Sequence, residues 1–183
     1  MNHYIRKLLK KKNKFVVYKE IIDLLLKIQK IKPDSKIKNV TKGRHLIDNY
    51  SNYYLFKESN LFFDWYLPLF LKKKKCLNIK KRAKKVLLRL YNSLNFSNSC
   101  FVHRDFHLEN LMKVKKNIGV IDSQDALIGN PAYDLVSIID DVRIKTTLKL
   151  KKKIYNYYLK KNLKITSKNQ SEFLEDFNIL SIQ

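Results

Sequence analysis

Apolar residues recur at helical spacing over much of the chain. From Phe15 to Ile31 the positions Val16, Val17, Ile21, Leu24, Leu25, Ile28 and Ile31 fall on one stripe, and Pro33-Asp34-Ser35 ends the pattern. The spacing predicts an amphipathic helix whose stripe must be covered by another element. From about Pro33 to Tyr50 no period is sustained. With Gly43 as the one strong turn signal, this stretch reads as loop with at most short helices. Two further helices are expected, around Glu58 to Lys74 and around Ile79 to Phe96, the second carrying Val86, Leu87, Leu90 and Leu94, with the Lys72 to Lys75 run between them.

The texture changes at Ser97-Asn98-Ser99, a turn cluster before the short apolar run Cys100-Phe101-Val102, which has strand character. Leu111 to Val114 and Ile118 to Ile121 are two more strand candidates, separated by Lys115-Lys116-Asn117. After a loop to about Pro131, helical spacing returns in Ala132, Leu135, Val136 and Ile139. Later helices are expected over Thr146 to Leu163 and Lys168 to Ile182. No internal repeat is visible. The expected architecture is mainly α with a small β-hairpin at its centre, as one domain over 1–183.

Composition supports a folded chain: 45% of the 183 residues are hydrophobic and 12% aromatic. Charge raises the question of a polyanionic partner, because 39 Lys and Arg against 16 Asp and Glu give a formal +23. Lysine predominates over arginine, Asn, Ile and Tyr are abundant, and Gly and Pro number 3 each. These biases run along the whole length, as a compositional background would, and no nucleic-acid module accompanies them. A nucleic-acid partner is therefore not expected, and a basic nucleic-acid-binding protein stands as an alternative reading. Cys76 and Cys100 lack the paired spacing of a zinc or disulfide framework. The apolar stretch Leu61 to Leu71 is broken by Asp64 and too short to span a bilayer, and the basic N-terminus is followed by no signal-peptide core. A cytoplasmic protein with no membrane partner is the expectation.

Chemistry concentrates between Phe101 and Asp134. Asp105 and Asn110 lie five positions apart in a loop that follows one strand, and Asp122 follows another. If Leu111 to Val114 pairs with Ile118 to Ile121 around a three-residue turn, Leu111 faces Ile121, Val114 faces Ile118, and Asn110 faces Asp122. Opposed Cα atoms lie about 5 Å apart, so an amide oxygen and a carboxylate would meet at one point. Such a pair suits magnesium, which takes a few protein oxygens and keeps other sites for water and phosphate. Asp105, on the loop before, is placed to accept a proton from a hydroxyl attacking that phosphate.

Plainer readings stand beside these. His103, Asp105 and His107 also fit a zinc pattern, although His3 and His45 bring no acidic neighbours. His103 is expected to pack under the loop. His107 either orients Asp105, contacts the second substrate or makes an ordinary loop hydrogen bond. Asp122 alone could be a strand-ending turn residue, and Asp125 adds a supporting contact or nothing. Asp64-Trp65-Tyr66 could line a sugar pocket. A helix burying Trp65 and Leu69 explains the same block, and we expect Trp65 in the core while Asp64 stays open. Lys151 to Lys153 with Tyr155, Tyr157 and Tyr158 reads as a solvated face over a buried stripe.

The set His103-Arg104-Asp105, Asn110 and Ile121-Asp122 resembles the catalytic loop and metal-binding acid of the protein-kinase-like superfamily. His107, and Pro131-Ala132-Tyr133-Asp134-Leu135 downstream, look like aminoglycoside phosphotransferases and their relatives. Within that group, Val102 to Met112, Asp122 to Leu127 and Asp64-Trp65-Tyr66-Leu67-Pro68 most resemble the bacterial cell-wall amino-sugar kinases acting on N-acetylmuramate and N-acetylglucosamine at the anomeric hydroxyl. The resemblance implies ATP as phosphate donor, Asp105 as base, Asn110 and Asp122 as magnesium ligands, and an amino-sugar hydroxyl as acceptor. It implies that His103, Arg104 and His107 support the loop, and that Asp134 anchors it while capping the helix after Pro131. Two departures stand out. Ser123 replaces the aromatic that commonly follows the metal-binding acid. No glycine-rich strand-loop-strand pattern precedes the helices, so the chain reads as the carboxy-terminal lobe alone, incomplete at both ends. A separate chain supplying the amino-terminal lobe is one partner this implies. A catalytically inactive lobe fragment, acting as a binding module or remnant, is the alternative.

Overall fold

The computed structural model describes residues 5, 9–10, 13–32, 37–38, 44–45, 47–115 and 117–182. Helix α1 (Lys14–Ile28) starts where the Asn13 side chain accepts the Phe15 N–H at 3.0 Å. It buries Val17, Tyr18, Ile21, Ile22, Leu25 and Ile28. It stops short of the expected Ile31, which is 49% exposed. The reason lies at Gln29, whose Nε2 donates to the Pro131 carbonyl at 2.8 Å while its Oε1 accepts from the Tyr158 hydroxyl at 2.8 Å. Those tertiary bonds fix the helix end where local periodicity would have let it run on.

Where a loop was expected, Ile37–Lys38 (β1) and Arg44–His45 (β2) pair antiparallel. The Pro33-Asp34-Ser35 stop and Gly43 lie outside the described residues. Helix α2 (Asn52–Leu61) begins six residues ahead of the expected Glu58 and gives way to a π-turn over Phe62–Tyr66 and a 3-10 turn over Leu67–Leu69. Pro68 has no N–H to continue the ladder, so the helix expected to reach Lys74 breaks here. Helix α3 (Lys73–Asn92) then takes the lysine run as its first turn, with Lys72 as its N-cap residue. The run was expected between two helices, and cations at a helix N-terminus do oppose the dipole. Packing decides instead, because Cys76, Leu87 and Tyr91 are buried.

Strand β3 (Cys100–Val102) pairs antiparallel with β6 (Leu127–Gly129), a partner the sequence reading had left in a loop. The hairpin β4 (Leu111–Val114) and β5 (Asn117–Val120) forms, in a different register from the one expected. Helices α4 (Tyr133–Ile139), α5 (Leu148–Lys161) and α6 (Gln170–Leu180) complete the described chain. The result is mainly helical with small two-stranded antiparallel sheets. α1 packs on α5 and on β5, and α4 packs on both α5 and α6, which also meet each other through Tyr155, Tyr158, Phe173 and Phe177. Phe106, Leu108, Leu135, Ile138, Ile154, Tyr158 and Phe173 lie in the common core, at 2% exposure or less.

One buried acid ties the last helix to this core. Asp176, fully buried on α6, accepts the N–H groups of Asn95 at 2.7 Å and Phe96 at 2.8 Å and the Asn130 amide at 2.6 Å. It thereby joins α6 to the approach to β3 and the exit from β6. Asp176→Ala leaves buried donors without an acceptor, at about 1–3 kcal/mol for each stranded group. We expect the urea midpoint to drop by an amount worth about 3 kcal/mol or more, with an unchanged m-value.

Candidate functional site

The loop after β3 alternates buried and exposed residues. His103, Phe106 and Leu108 are buried at 2% exposure or less, and this alternation turns the Asp105 carboxylate outward. The backbone is held from below. Asp134, fully buried in the first turn of α4, accepts the N–H of His103 at 2.7 Å and of Arg104 at 3.0 Å. Burial pushes its carboxyl up to about 7, against the opposite pull of those donors. Asp141 accepts the Leu108 N–H at 2.9 Å. The Asn110 amide donates to the Asp105 carbonyl at 3.0 Å, and the His107 N–H donates to the same oxygen at 2.9 Å.

Arg104 carries a positive φ of 73°, a conformation that side-chain-bearing residues avoid and that needs outside support. Support comes from Glu58 on α2, which accepts Nε at 3.1 Å and Nη2 at 2.5 Å. Glu58 also accepts the Tyr133 hydroxyl at 2.9 Å and the Tyr50 hydroxyl. Burial raises both phenols, which keeps them protonated as donors. The guanidinium lies over the rings of Tyr50 and Tyr54 at 5.7 and 5.6 Å. Glu58 and Asp141 were both missed in the sequence. Glu58 sits 46 residues from its partner and Asp141 sits 33 from its own, so no local pattern marks either.

The hairpin corrects the expected register. Leu111 faces Val120 and Val114 faces Asn117, one position short of the pairing with Ile121 and Ile118. Asn117 belongs to the ladder rather than the turn, and Lys115 takes a left-handed φ of 54°, as tight two-residue hairpin turns demand. Asn110 accordingly lies opposite Ile121, whose N–H donates to the Asn110 carbonyl at 3.0 Å. Asp122 falls one residue beyond. It is brought back by its own left-handed backbone, with φ 69°.

Asp105 and Asp122 both act electrostatically on the His103 ring, beside which the Ile121 backbone also lies. The two carboxylates thus lie near enough to that imidazole to act on it, and Asn110 is tied to Asp105 and to Ile121 by its own hydrogen bonds, not by cross-strand opposition to Asp122. Among the described residues neither the Asp105 nor the Asp122 carboxylate makes a hydrogen bond or ion pair. Unpaired acids in so basic a chain, next to an amide whose nitrogen is committed elsewhere, form an all-oxygen donor set that fits a hard cation such as magnesium. The zinc alternative fares differently. Among the described residues no group of three His, Cys, Asp or Glu could hold a metal, and both nitrogens of His103 are buried without a hydrogen-bond partner.

The remaining candidates scatter. Asp64, half-exposed on the π-turn, is bound by Lys80 at 2.5 and 2.7 Å, and among the described residues it makes no hydrogen bond or ion pair with the loop that carries Asp105. Asp125 is exposed; its carbonyl accepts from Arg104 Nη1 at 3.2 Å and its carboxylate lies 4.0 Å away. Nδ1 of His107 is buried without a hydrogen-bond partner among the described residues, while its backbone N–H donates to the Asp105 carbonyl. Trp65 and Leu69, expected in the core, are 75% and 74% exposed. The π-turn gives that segment a different rotation from an uninterrupted helix, and Phe63 is the side chain buried instead.

Burial pushes the His103 imidazole below its ordinary 6.5, more than the neighbouring acids push it up. The unfolded chain thus binds the proton more readily, so stability is present above pH 6.5 and is lost as pH falls. Urea midpoints of the natural chain should decline between about pH 7.5 and 5.5 more steeply than those of His103→Gln. Parallel slopes would contradict a buried neutral ring.

Comparison with known proteins identifies the family. Residues 9–164 match the model of the phosphotransferase enzyme family. The chain is similar to the N-acetylmuramate/N-acetylglucosamine kinase of Neisseria meningitidis serogroup B, with 32% identity over 55% of this chain and 30% of the relative. It is likewise similar to kinases of the same name from Pseudomonas aeruginosa, at 37% identity over 50% of this chain and 27% of the relative, and from Pseudomonas putida, at 30% over 68% and 34%. The matched stretches thus span about a third of those relatives' length. The chain belongs to the phosphotransferase enzyme family.

Proposed function

We propose that this chain is the carboxy-terminal catalytic lobe of an ATP-dependent kinase that transfers the γ-phosphate to a hydroxyl of an amino sugar, N-acetylmuramate or N-acetylglucosamine being the first candidates. The observation that carries this reading is the pair of unpartnered carboxylates, Asp105 and Asp122, beside the His103 ring. The names of the matched relatives motivate the acceptor.

In this reading the Asp105 carboxylate takes the proton from the acceptor hydroxyl as its oxygen bonds to the γ-phosphorus. The bond from that phosphorus to the bridging oxygen breaks, and ADP leaves with the electron pair. Asn110 and Asp122 would hold magnesium, which would supply positive charge against the phosphate oxygens. Asp134 and Asp141 fix the loop backbone, and the Glu58–Arg104 pair holds the strained residue before the base. Rigid placement matters here because phosphoryl transfer depends mainly on positioning and electrostatics. The phosphate-covering loop and the phosphate-binding lysine would come from a further lobe. Gly119 and Gly129 both sit in strands rather than in such a loop.

The test uses the chain together with its upstream coding sequence, assayed for γ-phosphate transfer to N-acetylmuramate, N-acetylglucosamine and an aminoglycoside panel. Asp105→Asn should lower kcat by about a hundredfold to ten-thousandfold with little change in KM. Asp122→Asn should raise the magnesium concentration needed for half-maximal rate by about tenfold or more. Absence of transfer by the extended protein, or an undiminished rate in Asp105→Asn, would refute the reading.

A further inference from the structure

The segment between α2 and α3 turns its apolar side outward. Leu61, Phe62, Trp65, Tyr66, Leu69 and Phe70 are between 49% and 75% exposed, while Phe63 points inward at 7%. Their spacing sets two adjacent rows, 61-65-69 and 62-66-70, on one face of a helical segment. The second row is self-packed: the rings of Phe62 and Tyr66 stack at 5.3 Å, and Tyr66 meets Phe70 at 5.0 Å. An amphipathic element ordinarily hides its apolar face, so this inverted one calls for a covering phase or partner.

The surroundings say what kind. Lys72, Lys73, Lys74 and Lys75 follow directly, are all exposed, and have no ion-pair partner among the described residues. Lys72, Lys74 and Lys75 line a depression of about 580 Å³ with Phe70, Leu71 and Asn78. A second depression of about 620 Å³ lies between α2 and α3, where Lys57, Lys84 and Lys85 stand over Tyr53, Phe56 and Leu88. No Asp or Glu occurs between Asp64 and Asp105, and Asp64 itself is neutralised by Lys80. The face is therefore apolar and aromatic at its centre, cationic at its rim and locally free of unpaired acid.

We infer that this face docks on an anionic phospholipid surface, with Trp65, Leu69 and Phe70 entering the headgroup boundary and the Lys72 to Lys75 run against the lipid charge. Aromatic side chains favour that boundary, and lysines can extend along it from apolar surface. Aliphatic Leu61, Leu69 and Leu77 among the rings offer nothing to nucleic-acid bases, which disfavours a single-strand platform. The sequence reading expected no membrane partner because no segment could span one, and among the described residues no helix is long and apolar enough to cross. Peripheral docking needs no span.

Flotation of the full chain with vesicles tests this. Vesicles of phosphatidylcholine with about 30 mol % phosphatidylglycerol should bind it at least about tenfold more tightly than pure phosphatidylcholine, and about 0.5 M salt should weaken the binding strongly. Trp65→Ser with Phe70→Ser should reduce binding about tenfold, as should replacement of Lys72 to Lys75 by Gln, while far-ultraviolet circular dichroism stays unchanged. Replacing Lys149, Lys152, Lys153 and Lys160 by Gln, an equal charge change on α5, should leave it intact. No vesicle binding, equal loss from the α5 set, or insensitivity to the aromatic changes would overturn the inference in favour of diffuse charge attraction. So would tighter binding to an RNA oligonucleotide, or self-association in sedimentation that the aromatic changes abolish, which would assign the face to nucleic acid or to a second copy.

Discussion

The candidate site depends on one buried carboxylate. Asp134 receives the N–H groups of His103 and Arg104 from beneath, and without those two bonds nothing local would hold the backbone before Asp105 in its turn. A loop residue with positive φ cannot be maintained by its own preferences, so the constraint must come from elsewhere in the fold. Here it comes from α4 through Asp134 and from α2 through Glu58. The exposed Asp105 is thus carried on a rigid base although it lies in a loop. That arrangement suits a group whose task is to be correctly placed.

Much of this was legible in the sequence because the signal was local. The apolar stripe of α1, the hairpin over 111–120 and the chemistry-bearing segment from His103 to Asp134 all declare themselves in residue type and spacing. What was not legible depends on distance. The pairing of β3 with β6 joins Cys100 to Gly129, and neither strand is long enough to announce a partner. The end of α1 is set by a carbonyl at Pro131, and the Arg104 turn by an acid 46 residues earlier. The rotation of Trp65 outward follows from a π-turn, which no apolar periodicity encodes. Except at the π-turn, a contact distant in sequence overrides a local preference.

The family match and the local geometry speak at different scales. The family model covers residues 9–164, and within that span an exposed aspartate, Asp105, and a second acid, Asp122, act on one buried imidazole. The helical body around them serves chiefly to keep that small set in register. Its exposed aromatic shoulder between α2 and α3 has no part in that task.

The hairpin beside the site also constrains how the gene can change. Side chains on paired strands alternate in orientation, so a slip of β5 by one residue against β4 would turn every side chain of that strand to the other face. Ile118 would exchange its buried position with a neighbour, and Asp122 would leave its place near His103. A changed loop length is therefore harmless to the site only where the extra residues bulge out and the pairing of Val114 with Asn117 is kept.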